Sequence, residues 1–242
     1  MLTPDQRDEF HRTGLLRLPR AVPAADTDAM RERLWRHLAV TRGISAERAQ
    51  TWPQASPRRL QALRRTGAFA AMAGEPLRTA LDDLLGTGGW REPRAWGQPL
   101  VTFPTRATPW RAPVASWHLD STGPEHDLPG LTVFAHLAPV AMGGGGTAVL
   151  AGSHRLVNRC IAATGGWRST EVKAALAAEH PALGAVWTTG DEVDEPAPGV
   201  RLVELTGAAG DVVLMHPRTL HAPATNAGDV PRETLVEIVL RR

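Results

Sequence analysis

The stretch Gly210-Asp211-Val212-Val213-Leu214-Met215 governs how the rest of the chain is read. Its four consecutive apolar residues, fenced by Gly210 before and Pro217 after, have the length and punctuation of a β-strand and are too short for a helix. Runs of similar texture recur at 98–103, 114–120, 131–138, 146–150, 201–205 and 233–240, separated by glycine and proline. Many short strands with such turns read as a sandwich or barrel.

The first third of the chain has a different, helical periodicity. Thr3-Pro4-Asp5-Gln6 has the form of a capped helix start, and Gly14 stops that helix. Leu15 to Leu18 is a short candidate strand. Pro23 opens a longer helix in which Met30, Leu34 and Leu38 share one face. The segments 45–65 and 75–86 also read as helical. Residues 153–200 form a long insertion, with a helix expected over about 169–179 and then an irregular acidic stretch from Gly190 to Pro196. An insertion of that length reads as a lid or surface segment, expected here to cover a pocket and set selectivity. Gly143 to Gly146 reads as a tight, flexible connection. The expected organisation is one domain over 1–242, with a mainly helical layer at 1–97 and a β core at 98–242.

Composition narrows the function classes. Across 242 residues, 27 basic and 25 acidic side chains leave a net charge of only +2, so nothing marks a polybasic surface for nucleic acid. The nearest basic cluster, Arg58-Arg59 with Arg64-Arg65, reads as a solvated helix face. No apolar stretch approaches the length of a membrane span, and the N-terminal residues lack the charged and apolar blocks of a signal peptide. A cytoplasmic protein is expected, and the single cysteine, Cys160, fits a reducing compartment. Eight tryptophans fill the core or line a pocket; Trp96, Trp110 and Arg106 precede the central motif and are candidates for an entrance.

That motif is Trp117-His118-Leu119-Asp120. Residues i and i+2 of a strand face the same side, so His118 and Asp120 can hold one metal, with Trp117 and Leu119 turned away. A buried, hydrogen-bonded His–Asp pair would look the same in sequence. The strand at 211–215 leads to His221, and Arg232 follows eleven positions later. Two imidazoles and one carboxylate can occupy one face of an octahedral Fe(II), leaving positions for a cosubstrate and O₂. A planar guanidinium such as Arg232 can clamp the far carboxylate of a 2-oxo acid. His216 competes with His221 for the third ligand position.

Together these residues resemble the phytanoyl-CoA hydroxylase-like family of Fe(II)- and 2-oxoglutarate-dependent oxygenases. The resemblance rests on the Trp-His-X-Asp block, on Gly145-Gly146-Thr147-Ala148-Val149-Leu150-Ala151-Gly152-Ser153-His154-Arg155, and on the 210–214 strand leading to His221, Asn226 and Arg232. It implies a double-stranded β-helix (jelly roll, cupin-like) core. It also implies His118, Asp120 and His221 as iron ligands and as the catalytic centre, with Arg232 as the 2-oxoglutarate clamp. The His-Asn-Arg order favours His221 over His216. By the same resemblance His136 is a candidate contact of the cosubstrate, beside a plain core or pocket role. His154 belongs to a recurring turn and is expected to tie down backbone, and His126 reads as a solvated loop residue.

The activity implied is hydroxylation of an aliphatic C–H in a small molecule, secondary-metabolite or amino-acid-like, with release of succinate and CO₂. Because Asp120 is present, no position is left for the chloride of a halogenase. A zinc hydrolase, a non-catalytic binding protein on the same fold and a set of purely structural histidines are the rival readings.

Overall fold

The computed structural model describes residues 1–105, 110–120, 126–164 and 168–242. Its strands are β1 (Leu15–Leu18), β2 (Gln98–Thr102), β3 (Gly130–His136), β4 (Ala148–Ala151), β5 (Arg201–Glu204), β6 (Val212–Met215), β7 (His221–Ala222) and β8 (Arg232–Leu240). They form a larger antiparallel sheet ordered β1-β6-β3-β8-β2 and a smaller one ordered β5-β4-β7. The helices are α1 (Pro4–Thr13), α2 (Ala24–Arg42), α3 (Gln61–Arg65), α4 (Glu75–Leu85), α5 (Ser153–Thr164), α6 (Ser169–Glu179) and α7 (Pro181–Thr188).

Strand alternation sorts the apolar residues into layers. On β6, Val212 and Leu214 join the core under the N-terminal helices, with Leu34, Leu38 and Leu77. Val213 and Met215 point the other way, into a core between the sheets shared with Phe134 and Val149. A third core, with Leu150, Leu156, Leu176 and Leu183, lies between the smaller sheet and α5–α7. The result is a double-stranded β-helix with helices on both outer faces, mostly antiparallel and mainly β in its centre. Among the described residues no helix is long and apolar enough to cross a membrane.

Ion pairs dock the N-terminal helices onto β8. Glu233 and Glu237 stand on the strand face turned toward those helices, where a carboxylate needs a cation. Arg31 of α2 forks Glu233 with bonds of 2.8 and 2.9 Å. Nη2 of Arg64, from α3, reaches both oxygens of Glu237 at 2.8 and 2.7 Å. The α1 start has the expected reciprocal cap: the Thr3 hydroxyl accepts from the Gln6 N–H and the Gln6 side chain from the Thr3 N–H. Gly14 ends the helix at φ 72°.

The structure departs from the sequence expectation in four places. Within 45–65 only α3 and a single 3-10 turn at Ala49–Thr51 form, since Pro53 and Pro57 interrupt a continuous helix. Residues 114–120 make no regular strand; Ser116 turns the chain at φ 66°, and only His118 pairs, in an isolated bridge with His221. His221 itself begins β7, a strand too short to be legible. The 153–200 insertion carries three helices, not one, because Leu156, Val157 and Ile161 give α5 its own apolar face and Leu183 and Val186 do the same for α7.

Candidate metal centre

The three sequence-predicted ligands converge. Ser153 Oγ accepts the Leu220 N–H at 2.9 Å, and the Leu150 N–H donates to the Leu220 carbonyl at 2.9 Å, seating His221 beside β4. The His118 N–H donates to the His221 carbonyl at 2.9 Å, and the return bond measures 3.2 Å. This bridge sets the two imidazoles side by side, with ring centroids 4.1 Å apart. Each ring is then oriented by its own backbone. His118 Nδ1 lies 2.8 Å from the Ser116 carbonyl and His221 Nδ1 lies 3.0 Å from the Thr219 carbonyl. Both must carry hydrogen on Nδ1 to make these bonds, which leaves each Nε2 a lone pair for a metal.

Those lone pairs face one carboxylate. His118 Nε2 is 3.7 Å from Asp120 Oδ1, and His221 Nε2 is 3.5 Å from Asp120 Oδ2. The Asp120 N–H donates to the Pro217 carbonyl at 2.9 Å, and the Thr132 hydroxyl donates to Oδ2 at 2.6 Å. One ligand atom from each residue falls within 4.8 Å of the others, a spacing that a single ion can gather. Burial pushes the His221 imidazole below its ordinary value, with Asp120 opposing; the neutral ring is the one that binds metal. Behind the centre, Trp117 is buried in the outer core, its indole donates to the Pro113 carbonyl at 2.6 Å, and Lys173 of α6 donates to its carbonyl at 2.8 Å.

Arg232 opens β8 in a nearly dry position. Its Nη1 donates to Thr147 Oγ1 at 3.2 Å, and its Nε has no partner among the described residues. Burial pulls the guanidinium down to about 10, with Glu204 opposing. Glu204 in turn accepts the N–H groups of Gly143 and Gly146 at 2.6 and 2.7 Å, so the tetraglycine is a held turn and not a flexible one. Gly145 is obligatory there: at φ 78°, a Cβ would sit 2.7 Å from the Asn226 side chain. Asn226 donates to the Thr102 and Val230 carbonyls at 3.0 and 2.8 Å, fixing the turn that delivers Arg232.

His136 lies on the same inward face of β3 as Thr132 and Phe134. Its Nδ1 is 3.2 Å from the Thr234 hydroxyl, and its buried Nε2 has no partner among the described residues. Burial first, then the charge of Arg232, lowers it to about 4. A buried guanidinium with an unpartnered Nε is a donor suited to an anion.

A cavity of about 460 Å³ contains the three ligands, Thr147 and Arg232. Its orientation follows from the strand register. Thr132, which holds Asp120, stands opposite Ile238, whereas Arg232 starts β8 six residues earlier. The deep end is therefore at Arg232, and the rim is at Gln98, Ile238, Arg64 and Glu237, with Leu100, Phe134 and Val236 as apolar wall. No residue of 153–200 and no tryptophan appears among the described lining residues. The expected lid instead supports the ligand segment from behind, and the expected tryptophan lining is replaced by aliphatic residues and Phe134. Trp96 is buried under the helical layer, and Trp110 borders a separate groove. Arg106 lies outside the described residues.

Sequence reasoning missed Arg64, taken for part of a solvated face, and with it Thr132 and Glu237. The available signal was Glu237: a charge on the strand face whose neighbours, Leu235 and Val239, are apolar implies a cation brought to it.

The other histidines stand apart. His216 Nε2 donates to the Asp127 carbonyl at 2.8 Å, and its ring centroid lies 4.8 Å from that of His154, the two rings tilted by 30°. His154 Nε2 donates to the His11 carbonyl at 3.1 Å, tying the start of α5 to α1. His126 is exposed, and its carbonyl accepts from Arg218 at 2.6 Å. Cys160 is partly buried beside the outer core.

Comparison with known proteins gives a family and a set of similar folds. The model of the phytanoyl-CoA dioxygenase family matches residues 10–234. No curated protein matches the chain by sequence. Among solved structures, HygX from Streptomyces hygroscopicus, crystallised with nickel and 2-oxoglutarate, is 17% identical with a TM-score of 0.61, over 99% of this chain and 87% of that one. AviO1 from Streptomyces viridochromogenes Tue57 is 19% identical with a TM-score of 0.58, over 100% of this chain and 97% of that one. The non-heme alpha ketoglutarate dependent epimerase SnoN from nogalamycin biosynthesis is 18% identical with a TM-score of 0.58, over 98% of this chain and 81% of that one. At these identities the likeness is one of fold.

Proposed function

Since the chain belongs to the phytanoyl-CoA dioxygenase family, we propose that it is an Fe(II)- and 2-oxoglutarate-dependent oxygenase that hydroxylates an aliphatic C–H of a small molecule. The observation that carries this reading is the pairing, in one cavity, of the His118–Asp120–His221 donor set with the buried, under-bonded Arg232. The donor set suits Fe(II), since two neutral imidazoles and one carboxylate on one side leave the opposite side open. With iron, 2-oxoglutarate and O₂ bound, the centre supplies an oxidant strong enough to remove hydrogen from carbon, while 2-oxoglutarate is converted to succinate and CO₂.

The side chains set the conditions for that chemistry. His118 and His221 present Nε2 because their Nδ1 atoms are committed to backbone carbonyls. Thr132 holds one oxygen of Asp120, limiting its rotation. In this reading Arg232 offers its remaining N–H groups to the distal carboxylate of the cosubstrate, and His136, neutral and with no partner on Nε2 among the described residues, would share it. Leu100, Phe134 and Val236 keep water from the reacting carbon. The protein has no need of a general base for this reaction. A zinc hydrolase would need one, and of the carboxylates among the described lining residues, Asp120 is a ligand and Glu237 is engaged by Arg64.

Anaerobic titration with Fe(II) and 2-oxoglutarate tests the proposal. Chelation of the iron by the cosubstrate is expected to produce a weak visible charge-transfer band that is absent in His221→Ala and needs far more 2-oxoglutarate in Arg232→Ala. Tight zinc binding with no such band would return the hydrolase and binding-protein readings.

A further inference from the structure

The rim of the cavity carries a polar device that the metal chemistry does not use. Arg64 lies on the cavity wall with Gln98, Glu237 and Ile238, at the level of the metal ligands by the Thr132–Ile238 register. Its guanidinium is fixed on two sides. Nε and Nη2 donate to the Ala95 carbonyl at 3.1 and 2.7 Å, and Nη2 also reaches both Glu237 oxygens. Glu237 is held on its other side by the buried N–H of Gly97 at 2.9 Å. Nη1 of Arg64 makes no hydrogen bond among the described residues. Arg64 is thus a rigid donor with unused N–H groups, and its charge is already neutralised.

Around this donor the rim is apolar. Leu100, Pro223 and Val236 line the cavity, and Ile238, also in the lining, is 42% exposed. An anionic group entering here would meet the Glu237 carboxylate with little net positive charge in return. A neutral acceptor, the oxygen of a ketone or hydroxyl, can take an N–H from Nη1 without that conflict.

We infer that Arg64 and Glu237 form a charge-neutral recognition pair, and that the substrate is a neutral, largely apolar molecule presenting a carbonyl or hydroxyl oxygen to Arg64. The inference rests on the oxygenase reading only in taking this cavity as the substrate site. It narrows the substrate class away from amino-acid-like compounds, whose ionised groups this rim would not favour.

Three ligands of matched shape separate the chemistries: 2-acetylnaphthalene, a neutral acceptor; 2-isopropenylnaphthalene, with no oxygen; and 2-naphthoate, an anion. Their affinities for the Fe(II)- and 2-oxoglutarate-loaded protein are measured anaerobically by calorimetry, with the charge-transfer band recorded on the same sample. In the wild type, 2-acetylnaphthalene is expected to bind about tenfold more tightly than either analogue, the worth of one charge-assisted hydrogen bond. Arg64→Met should erase its advantage over the hydrocarbon. Glu237→Gln should leave Arg64 with an uncompensated charge and shift the preference to 2-naphthoate. A merely structural ion pair would change stability in both variants without changing the order of ligands, so an unaltered order in properly folded variants overturns the inference. So does equal affinity for the three ligands, tighter wild-type binding of the anion, or no binding of the ketone up to its solubility limit. Each of those results, obtained with the band present, leaves the oxygenase reading intact; loss of the band is what would remove it.

Discussion

Replacing Arg232 by methionine should move stability and cosubstrate affinity in opposite directions. Arg232 is buried, and burial holds its guanidinium at about 10, a depression that corresponds to roughly 3 kcal/mol of unfavourable burial at neutral pH. That figure is already net of the attraction to Glu204, and against it stands the bond to Thr147, worth about 1 kcal/mol. Methionine has comparable reach and no charge. Arg232→Met should therefore make the ligand-free protein about 2 kcal/mol more stable, a rise of about 4–8 °C in Tm for a chain of this size. Binding of 2-oxoglutarate should fall roughly a hundredfold, since two charge-assisted hydrogen bonds to the distal carboxylate amount to at least about 3 kcal/mol. The assay is calorimetric titration of the anaerobic Fe(II) protein, paired with thermal melts without ligand. A variant that melts lower and still binds 2-oxoglutarate as the wild type does would show that Arg232 is a structural residue, and the clamp argument would fail.

Three further outcomes follow from the same geometry. Thr132→Val keeps shape but removes the hydroxyl on Asp120 Oδ2, so Fe(II) affinity should drop about tenfold or more with little change in the ligand-free melt; unchanged affinity in a metal titration would show that Asp120 needs no such support. His154 and His216, which face His11, Arg155, Arg218 and the Asp127 carbonyl, are held by burial at about 4 and about 3. Both lie below the unfolded value near 6.5, so stability is full above that pH and is lost as pH falls toward 4; the loss should reach about 4 kcal/mol by pH 5. Urea titrations of wild type and His154→Gln should show about half of that loss removed, and an unaltered pH profile would contradict it. Gly14→Ala places a Cβ 2.6 Å from His154 Nδ1 and 2.7 Å from Thr219 Oγ1 at φ 72°, and should destabilise the fold by at least about 2 kcal/mol; a neutral result in chemical denaturation would mean that α5 can shift away from α1.

Most of the β core was readable from the chain because its strands are short apolar runs bounded by glycine and proline, a local property. The same holds for α1, whose capping box and Gly14 stop are written in consecutive residues. The ligand types were readable too: His118, Asp120, His221 and Arg232 stand in an order and spacing that suit one reaction class, although each alone would be ordinary. What was illegible depended on distance in sequence. The 114–120 segment looks like a strand, but the turn at Ser116 leaves His118 with a single pairing, made to a residue a hundred positions away. The 153–200 insertion looks like a cover, yet its helices bury their apolar faces against the smaller sheet, and Lys173 braces Trp117 from behind the ligands.

The sequence, then, determined the strand texture, the N-terminal helix signals and which side chains are the candidate metal ligands and carboxylate clamp, because periodicity, turn chemistry and donor type are carried by neighbouring residues. The folded arrangement determined that Thr132 steadies Asp120, that Glu204 and Asn226 shape the turn behind Arg232, and that Arg64 leaves the helical layer to meet Glu237 at the cavity rim. Those pairings join residues far apart in the chain, and only the register of β3 against β8 and the packing of α3 on that sheet bring them within hydrogen-bonding reach.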